Sequence, residues 1–400
     1  MAQARGGKAR LTYVEEDTQG ETPSSPSMQL LKALTYGESL GASIEELTSS
    51  SVNANRSTEN ARGGNINVSG SVPFELPIVG LGTLLKHALG SATTGQDITQ
   101  PSAITGVTVL YAEDGATTGD GTLEYADAGT ELTWTAPDDT AGSAVDVSDG
   151  GEFTLESSSS GESITVVVDP DELPSADESD TITVESQYLH YIVRDELPEG
   201  ITVEKGFTDL GEYFRFLGCR IGTMSLSLGN SGLVTGELSL MGLDYEQSSS
   251  ELGSPSDFPH VPLVHHEAEV EQDDSVQDIQ SMELTIENNL SDSDRYVGSR
   301  TRYATNEGEG AANGSITFAF QGLDHFDDWD QENERSLRVT FTTSDGRLEI
   351  HLPRVKFFGQ GIPPIETRQG IMQPLDYRAL HDTLFGTDVA ISLVNDEDSV

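Results

Sequence analysis

Two stretches of this 400-residue chain spell nearly the same strand about 240 residues apart: SGSVPFEL from Ser69 to Leu76 and NGSITFAF from Asn313 to Phe320. Each is followed by a candidate helix, GLGTLLKHALG from Gly80 to Gly90 and GLDHFDDWDQE from Gly322 to Glu332. Further on, both copies reach a shared Leu-Asp-Tyr, in LMGLDY ending at Tyr245 and in MQPLDY ending at Tyr377. The turn segments GNSG (Gly229 to Gly232) and GQGI (Gly359 to Ile362) precede it. Landmarks matched in the same order mark a duplicated module, and a long-period repeat constrains the architecture before any local pattern does.

The spacing also locates an insertion. Gly70 and Gly229 are 159 residues apart, whereas Gly314 and Gly361 are 47 apart, so the first copy carries 112 more residues, between Gly90 and about Gly200. Composition agrees, because the 107 residues from His87 to Val193 contain no Lys and no Arg while Asp and Glu recur. Inside the insert, TGVTVLYA, GTLEYADA, TELTWTA, GEFTLES and ESITVVVD are short β-branched and aromatic runs separated by Gly, Asp and Ser. That is the pattern of a small β-sandwich, with Trp134 as its core aromatic; strand number alone makes it Ig-like. The expected organisation is an N-terminal arm (1–30), a first module (31–90 and 200–246), the acidic sandwich (91–199), a Ser-rich connector (247–266) and a second module (267–400).

Sixty-eight acidic against twenty-one basic residues give a net charge of −47. Self-repulsion at that load opposes a compact state in dilute buffer. At molar salt the Debye length falls to about 3 Å and the repulsion is screened. The acids are spread along the chain among Ser, Thr and Gly, with only five Lys. This is the distribution of proteins from extreme halophiles rather than of a localised cation-binding tail. It excludes nucleic-acid binding by a basic patch, but an acidic channel that does not hold phosphates suits nucleic-acid transit. Cys219 is alone, so there is no disulfide framework and a buried, inert thiol is expected. The basic start MAQARGGKAR lacks a following apolar segment, which argues against a signal peptide. No run of about 18 apolar residues is present to span a membrane.

Period-two alternation defines a hairpin between Ile201 and Tyr245. Met224, Leu226 and Leu228 alternate with Thr223, Ser225 and Ser227, and after the turn Val234, Leu238 and Leu240 are interleaved with Thr235, Glu237 and Ser239. In the second copy Leu348, Ile350 and Leu352 alternate with Arg347, Glu349 and His351. Each reads as a sheet with one apolar and one polar face.

Catalytic and metal-binding patterns are absent or misplaced. GESLG (Gly37 to Gly41) has the spacing of a nucleophile elbow, but strand-like sequence follows it where a long helix is required. His260, His265 and His266 lie in a Pro-containing loop without the helical spacing of a zinc site. Asp324, Asp327, Asp328 and Asp330 lack the Gly and the order of a calcium loop and read as a solvated helix face. No phosphate-cradling Gly loop occurs, so no catalytic, cofactor-binding or metal-binding residues are assigned.

The two-faced sheets, the GSVPFEL strand leading to LLKHALG, and the block from EGITVEKGF to GLVTGELSLMG together resemble the tail tube proteins of tailed viruses. The ending LEIHLPRVKFFGQGIPPIETRQGIMQPLDYRAL with VAISLVN is similar to that family's C-terminal half, and the charge points to a virus of haloarchaea. The resemblance covers about residues 10–90 and 200–395 and leaves the insert unexplained. It implies a mainly β chain of two tandem β-sandwich modules with flanking helices, forming a β-barrel ring, plus the inserted Ig-like sandwich. Rings stack into a tail tube, with DNA only in transit through the lumen. Partners are further copies of the chain and other tail proteins, with no membrane and no cofactor; the location is the virion tail, assembled in the host cytoplasm. Two modules per chain imply a trimeric ring with pseudo-six-fold symmetry, with a hexamer as the alternative. Thr223, Ser225, Ser227, Thr235, Glu237, Ser239, Arg347, Glu349 and His351 are then expected to face the lumen. Arg5, Lys8, Arg10, Asn55, Arg56 and Arg62 are expected at ring-to-ring contacts, and the insert is expected to project outward. The competing reading is a haloarchaeal surface or adhesin-type β-sandwich protein.

Overall fold

The computed structural model describes residues 3–34, 37–50, 57, 60–100, 104–365 and 370–400. The chain is mainly β. Strands β1 (Ala9–Glu15), β2 (Gln29–Leu31), β3 (Gly41–Thr48) and β4 (Ala61–Glu75) precede helix α1 (Gly82–Leu89). The inserted region supplies β5 (Gly90–Thr99), β6 (Val107–Ala112), β7 (Gly119–Ala126), β8 (Glu131–Thr135), β9 (Val145–Asp146), β10 (Gly151–Glu156), β11 (Ser163–Val168) and β12 (Glu178–Arg194). Next come β13 (Ile201–Phe207), β14 (Glu212–Leu228), β15 (Thr235–Gly242) and β16 (Asp244–Ser248). Then follow β17 (Ala268–Gln272), β18 (Ser275–Val276), β19 (Ile279–Glu287) and β20 (Ala311–Ala319). Helix α2 (Asp324–Asp330), β21 (Arg335–Thr343), β22 (Gly346–Phe358), β23 (Met372–Ala379) and β24 (Ala390–Asn395) complete the chain.

The fold separates into two compact units. Unit 1 comprises Met1–Pro77, Glu196–Pro262 and Glu283–Ala311; unit 2 comprises Ile78–Asp195, Leu263–Met282 and Ala312–Val400. In unit 1 antiparallel ladders run in the order β1, β13, β14, β15, β4. The 17-residue β14 serves two neighbourhoods: its first half lies between β13 and β16, and its second half pairs with β15. Val68, Val72, Ile201, Val203, Cys219, Ile221, Met224 and Leu238 are almost wholly buried and form the core.

Unit 2 repeats that order as β17, β21, β22, β23, β20. Here β24 pairs with the first half of β22 as β16 does with β14. The repeat read from SGSVPFEL and NGSITFAF is therefore a repeat of topology. Register aligns the copies residue by residue and corrects one landmark. Gly70 faces Leu240, which faces Ile221, while Gly314 faces Tyr377, which faces Phe357. The counterpart of Tyr377 is thus Leu240. Tyr245 lies in β16 opposite Phe216, so the shared Leu-Asp-Tyr is a coincidence.

The insert is built of β10, β11 and β6 on one side and β9, β8, β7 and β12 on the other. Trp134, Leu123, Leu132, Val166 and Ile182 lie in the core between them. Its last strand does not stop at the insert. The first part of the 17-residue β12 pairs with β7, and its last part, Tyr188 to Val193, lies between β5 and β24.

Three segments depart from the organisation expected from sequence. Helix α1, expected with the first module, belongs to unit 2 and packs on β5 and β12. Glu283–Ala311, expected with the second module, belongs to unit 1. The expected N-terminal arm is in part a core strand: β1 pairs with β13 over its whole length and buries Leu11, Thr12, Tyr13 and Val14.

Candidate functional site

The six first-copy residues expected on an open face come together as three cross-strand pairs. Thr223 faces Ser239, Ser225 faces Glu237 and Ser227 faces Thr235. Thr235, Glu237, Ser239 and Ser227 are exposed, and Thr223 and Ser225 half-buried. Their neighbours Met224, Leu226, Leu228, Leu238 and Leu240 are buried. Because side chains alternate along a strand, one register fixes all six on the face opposite the core. The face continues onto β4 through Ser71, Pro73 and Glu75, opposite Ser239, Glu237 and Thr235.

Arg347, Glu349 and His351 are placed differently. They lie on the first half of β22, where β24 sets Val394, Ser392 and Ala390 opposite them. Ala390 and Val394 pack with Leu189 and Tyr191 of β12 and with Tyr111, so this side is covered by inserted strands. Arg347 reaches Asp97 of β5 at 3.0 Å, Glu349 lies 3.5 Å from Arg338, and His351 is buried with its ring edge-on to Phe385. Burial, and then the Arg338 guanidinium, push the His351 pKa down to about 4. Burial also raises the Asp97 pKa, against the opposing pull of Arg347.

Register supplies the positions that correspond to the first-copy face. The second half of β22 and β23 pair Lys356 with Arg378 and Phe358 with Asp376, and β20 adds Ser315 opposite Asp376 and Thr317 opposite Pro374. Pro374, Asp376 and Arg378 are exposed, alternating with buried Leu375 and Tyr377. Alternation in QPLDYRA carried this signal, but the misaligned tripeptide hid it. Lys356 Nζ lies 3.3 Å from Glu334, which Arg354 also binds; the Arg354 hydrogen bond lowers the Glu334 pKa to about 2.

Of the expected assembly residues, Arg5, Lys8 and Arg62 are exposed, and Asn55 and Arg56 lie outside the described residues. Arg10 is half-buried on β1 and bound to Glu251. Strand β3 is exposed from Ala42 to Thr48. A cluster that sequence reading missed lies on its partner β4. Arg300 Nε donates to the Gly64 carbonyl (2.8 Å), Arg295 Nη1 to Ile66 (3.1 Å) and Arg302 Nη1 to Val68 (3.1 Å). Three arginines thus satisfy alternate carbonyls of one strand edge. No local sequence pattern announces a contact across more than 220 residues.

Among the described residues no group of three or more His, Cys, Asp or Glu is arranged to hold a metal ion. His265 and His266 stack edge to face, and His260 lies 3.4 Å from Glu75. Among the described residues no helix is long and apolar enough to cross a membrane.

No curated protein sequence matches the chain. The family model of phage tail tube proteins matches residues 6–379, spanning both copies of the repeat and the insert. With the duplicated strand order and the polar sheet face, that match shows that the chain belongs to the phage tail tube protein family, structural components of the virion tail.

Proposed function

We propose that this chain assembles into stacked rings that form a viral tail tube, through which DNA passes during ejection. The observation that carries the reading is the repeated strand order of β1, β13, β14, β15, β4 and β17, β21, β22, β23, β20. Each chain supplies two ring modules, and three chains complete a pseudo-six-fold ring. Closing such a ring removes exposed sheet edges, which are otherwise sites of uncontrolled pairing.

The lumen is lined by Thr223, Ser225, Ser227, Thr235, Glu237 and Ser239, together with Asp376, the register counterpart of Ser239, and Lys356 and Arg378 beside it. Small polar side chains of mixed or negative charge give phosphates no fixed partner, so DNA is guided without being held. Arg5, Lys8, Arg62 and the β3–β4 hairpin serve contacts between rings. The insert projects outward, and its acidic surface belongs to a tail that works in the molar salt of a haloarchaeal host. Assembly takes place in the host cytoplasm, and other tail proteins bind the ends of the tube.

The test is electron microscopy of protein purified in roughly 2–4 M salt, where repulsion is screened. Stacked hollow rings with three outward knobs each are expected. Six knobs would retain the tube and reject the trimer; monodisperse particles without a lumen would reject the tube.

A further inference from the structure

Three side chains stand in one row across the open face of the second repeat. Lys356 of β22 is directly opposite Arg378 of β23, and Arg378 is directly opposite Asn313 of β20. Residues opposed in this way on one face have Cβ atoms about 4.5–5.5 Å apart, and like charges so placed repel. Arg378 is exposed, alternating with buried Tyr377 and Ala379. Arg354, on the same face of β22 as Lys356, adds a third cation beside the row.

The nearby carboxylates do not neutralise this row. Glu334 is shared between Arg354, at 2.5 and 2.9 Å, and Lys356, at 3.3 Å. Asp376 lies on the same face of β23, but its Oδ2 rests beside Gly359, past the end of β22. Among the described residues Arg378 has no carboxylate partner and the Asn313 side-chain amide no hydrogen-bond partner. The first repeat treats the same positions differently. By register Lys356 corresponds to Arg220, Arg378 to Met241 and Asn313 to Ser69. Arg220 is the single cation of that row, and it lies 3.0 Å from Glu307 and 3.9 Å from Glu199. A chain with 68 acidic residues thus sets two carboxylates around one cation in the first repeat and leaves Arg378 with none in the second.

We propose that Lys356, Arg378 and Asn313 form a binding site for a small inorganic anion, namely chloride. An ammonium, a guanidinium and a side-chain amide on three adjacent strands supply N–H donors, and an anion between the two cations offsets their repulsion. The inference rests on the molar-salt part of the proposed function, because a shallow, exposed site binds weakly and fills only where chloride is abundant. It adds that the fold uses the anion of brine at one place, while the cations of brine screen its acidic surface.

The test is unfolding of the full chain at constant ionic strength while sodium chloride replaces sodium gluconate, whose anion is too bulky for the row. An anion that binds only the folded state stabilises it by up to about tenfold in the folded-to-unfolded ratio for each tenfold rise in its concentration. The wild-type midpoint is expected to rise relative to that of Arg378→Gln as chloride is added. Without chloride Arg378→Gln is expected to be the more stable of the two, since the opposed cations no longer repel. Arg378→Glu gives Lys356 a carboxylate across the strand and should be indifferent to the exchange. The chloride NMR signal, broadened by wild type and not by Arg378→Gln, is the second readout. An equal chloride response in wild type and Arg378→Gln, or no excess line width with wild type, overturns the site and leaves the salt reading standing. Stability that does not depend on total salt overturns the salt reading and the site with it.

Discussion

Arg302 holds the Gly242 carbonyl at 2.9 Å from a guanidinium whose side chain is only 3% exposed. The same nitrogen serves Val68, and Asp292 accepts from Nε at 2.8 Å. A residue of the second repeat thereby satisfies buried carbonyls on two strands of unit 1. Arg302→Met leaves those carbonyls without a donor and is expected to destabilise the protein by about 3 kcal/mol. Arg302→Lys recovers little, because a point charge cannot reproduce the planar fork. Denaturant midpoints at fixed salt check both.

The Arg347–Asp97 pair joins β22 to β5 at 3.0 Å. Asp97 is the more buried partner, so removing the cation costs more than removing the anion. Arg347→Ala is expected to destabilise by roughly 1–2 kcal/mol, discounted for the partly exposed guanidinium. Asp97→Asn is expected to cost less, and the double variant to lie between the singles. A double-mutant cycle on unfolding free energy measures the coupling.

His351 gives unit 2 a pH dependence with a defined sign. An unfolded His titrates near 6.5 on average, about where exposed imidazoles do, whereas the folded value is about 4. A depressed folded pKa means that the unfolded state takes up the proton first. Stability is therefore complete above about pH 6.5 and declines as the pH falls toward about 4, by at most about 3 kcal/mol. Arg338 and Phe385 flank the ring, and the Asp274 and Asp382 carboxylates pull its pKa up against the larger effect of burial. His351→Gln should flatten the profile there relative to wild type, as unfolding midpoints across the window will show.

The proposed lumen makes a charge prediction. Ser225→Lys with Glu237→Lys places two cations on a cross-strand pair of the open face. Assembly is expected to persist, but tubes should now retain double-stranded DNA, with log K falling against log salt by about 0.9 per phosphate contacted. Unchanged DNA release across a salt series would remove this face from the lumen.

Sequence by itself determined the duplication, the insert, both helices and the two faces of β14 and β15. Those features are local or periodic: alternation of Met224, Leu226 and Leu228 with Thr223, Ser225 and Ser227 requires a strand with one wet side whatever it packs against. Only the tertiary structure decided which strand lies beside which. Leu-Asp-Tyr at Leu243 to Tyr245 looked equivalent to Leu375 to Tyr377, yet register sets Leu240 against Tyr377, because pairing is fixed by ladder hydrogen bonds and not by spelling. Arg347, Glu349 and His351 show an open-face alternation, but β12 leaves the insert, pairs with β24 and covers that side. The arginines that satisfy β4 come from the second repeat, since carbonyls at a strand edge need a donor from any part of the chain that folding brings near.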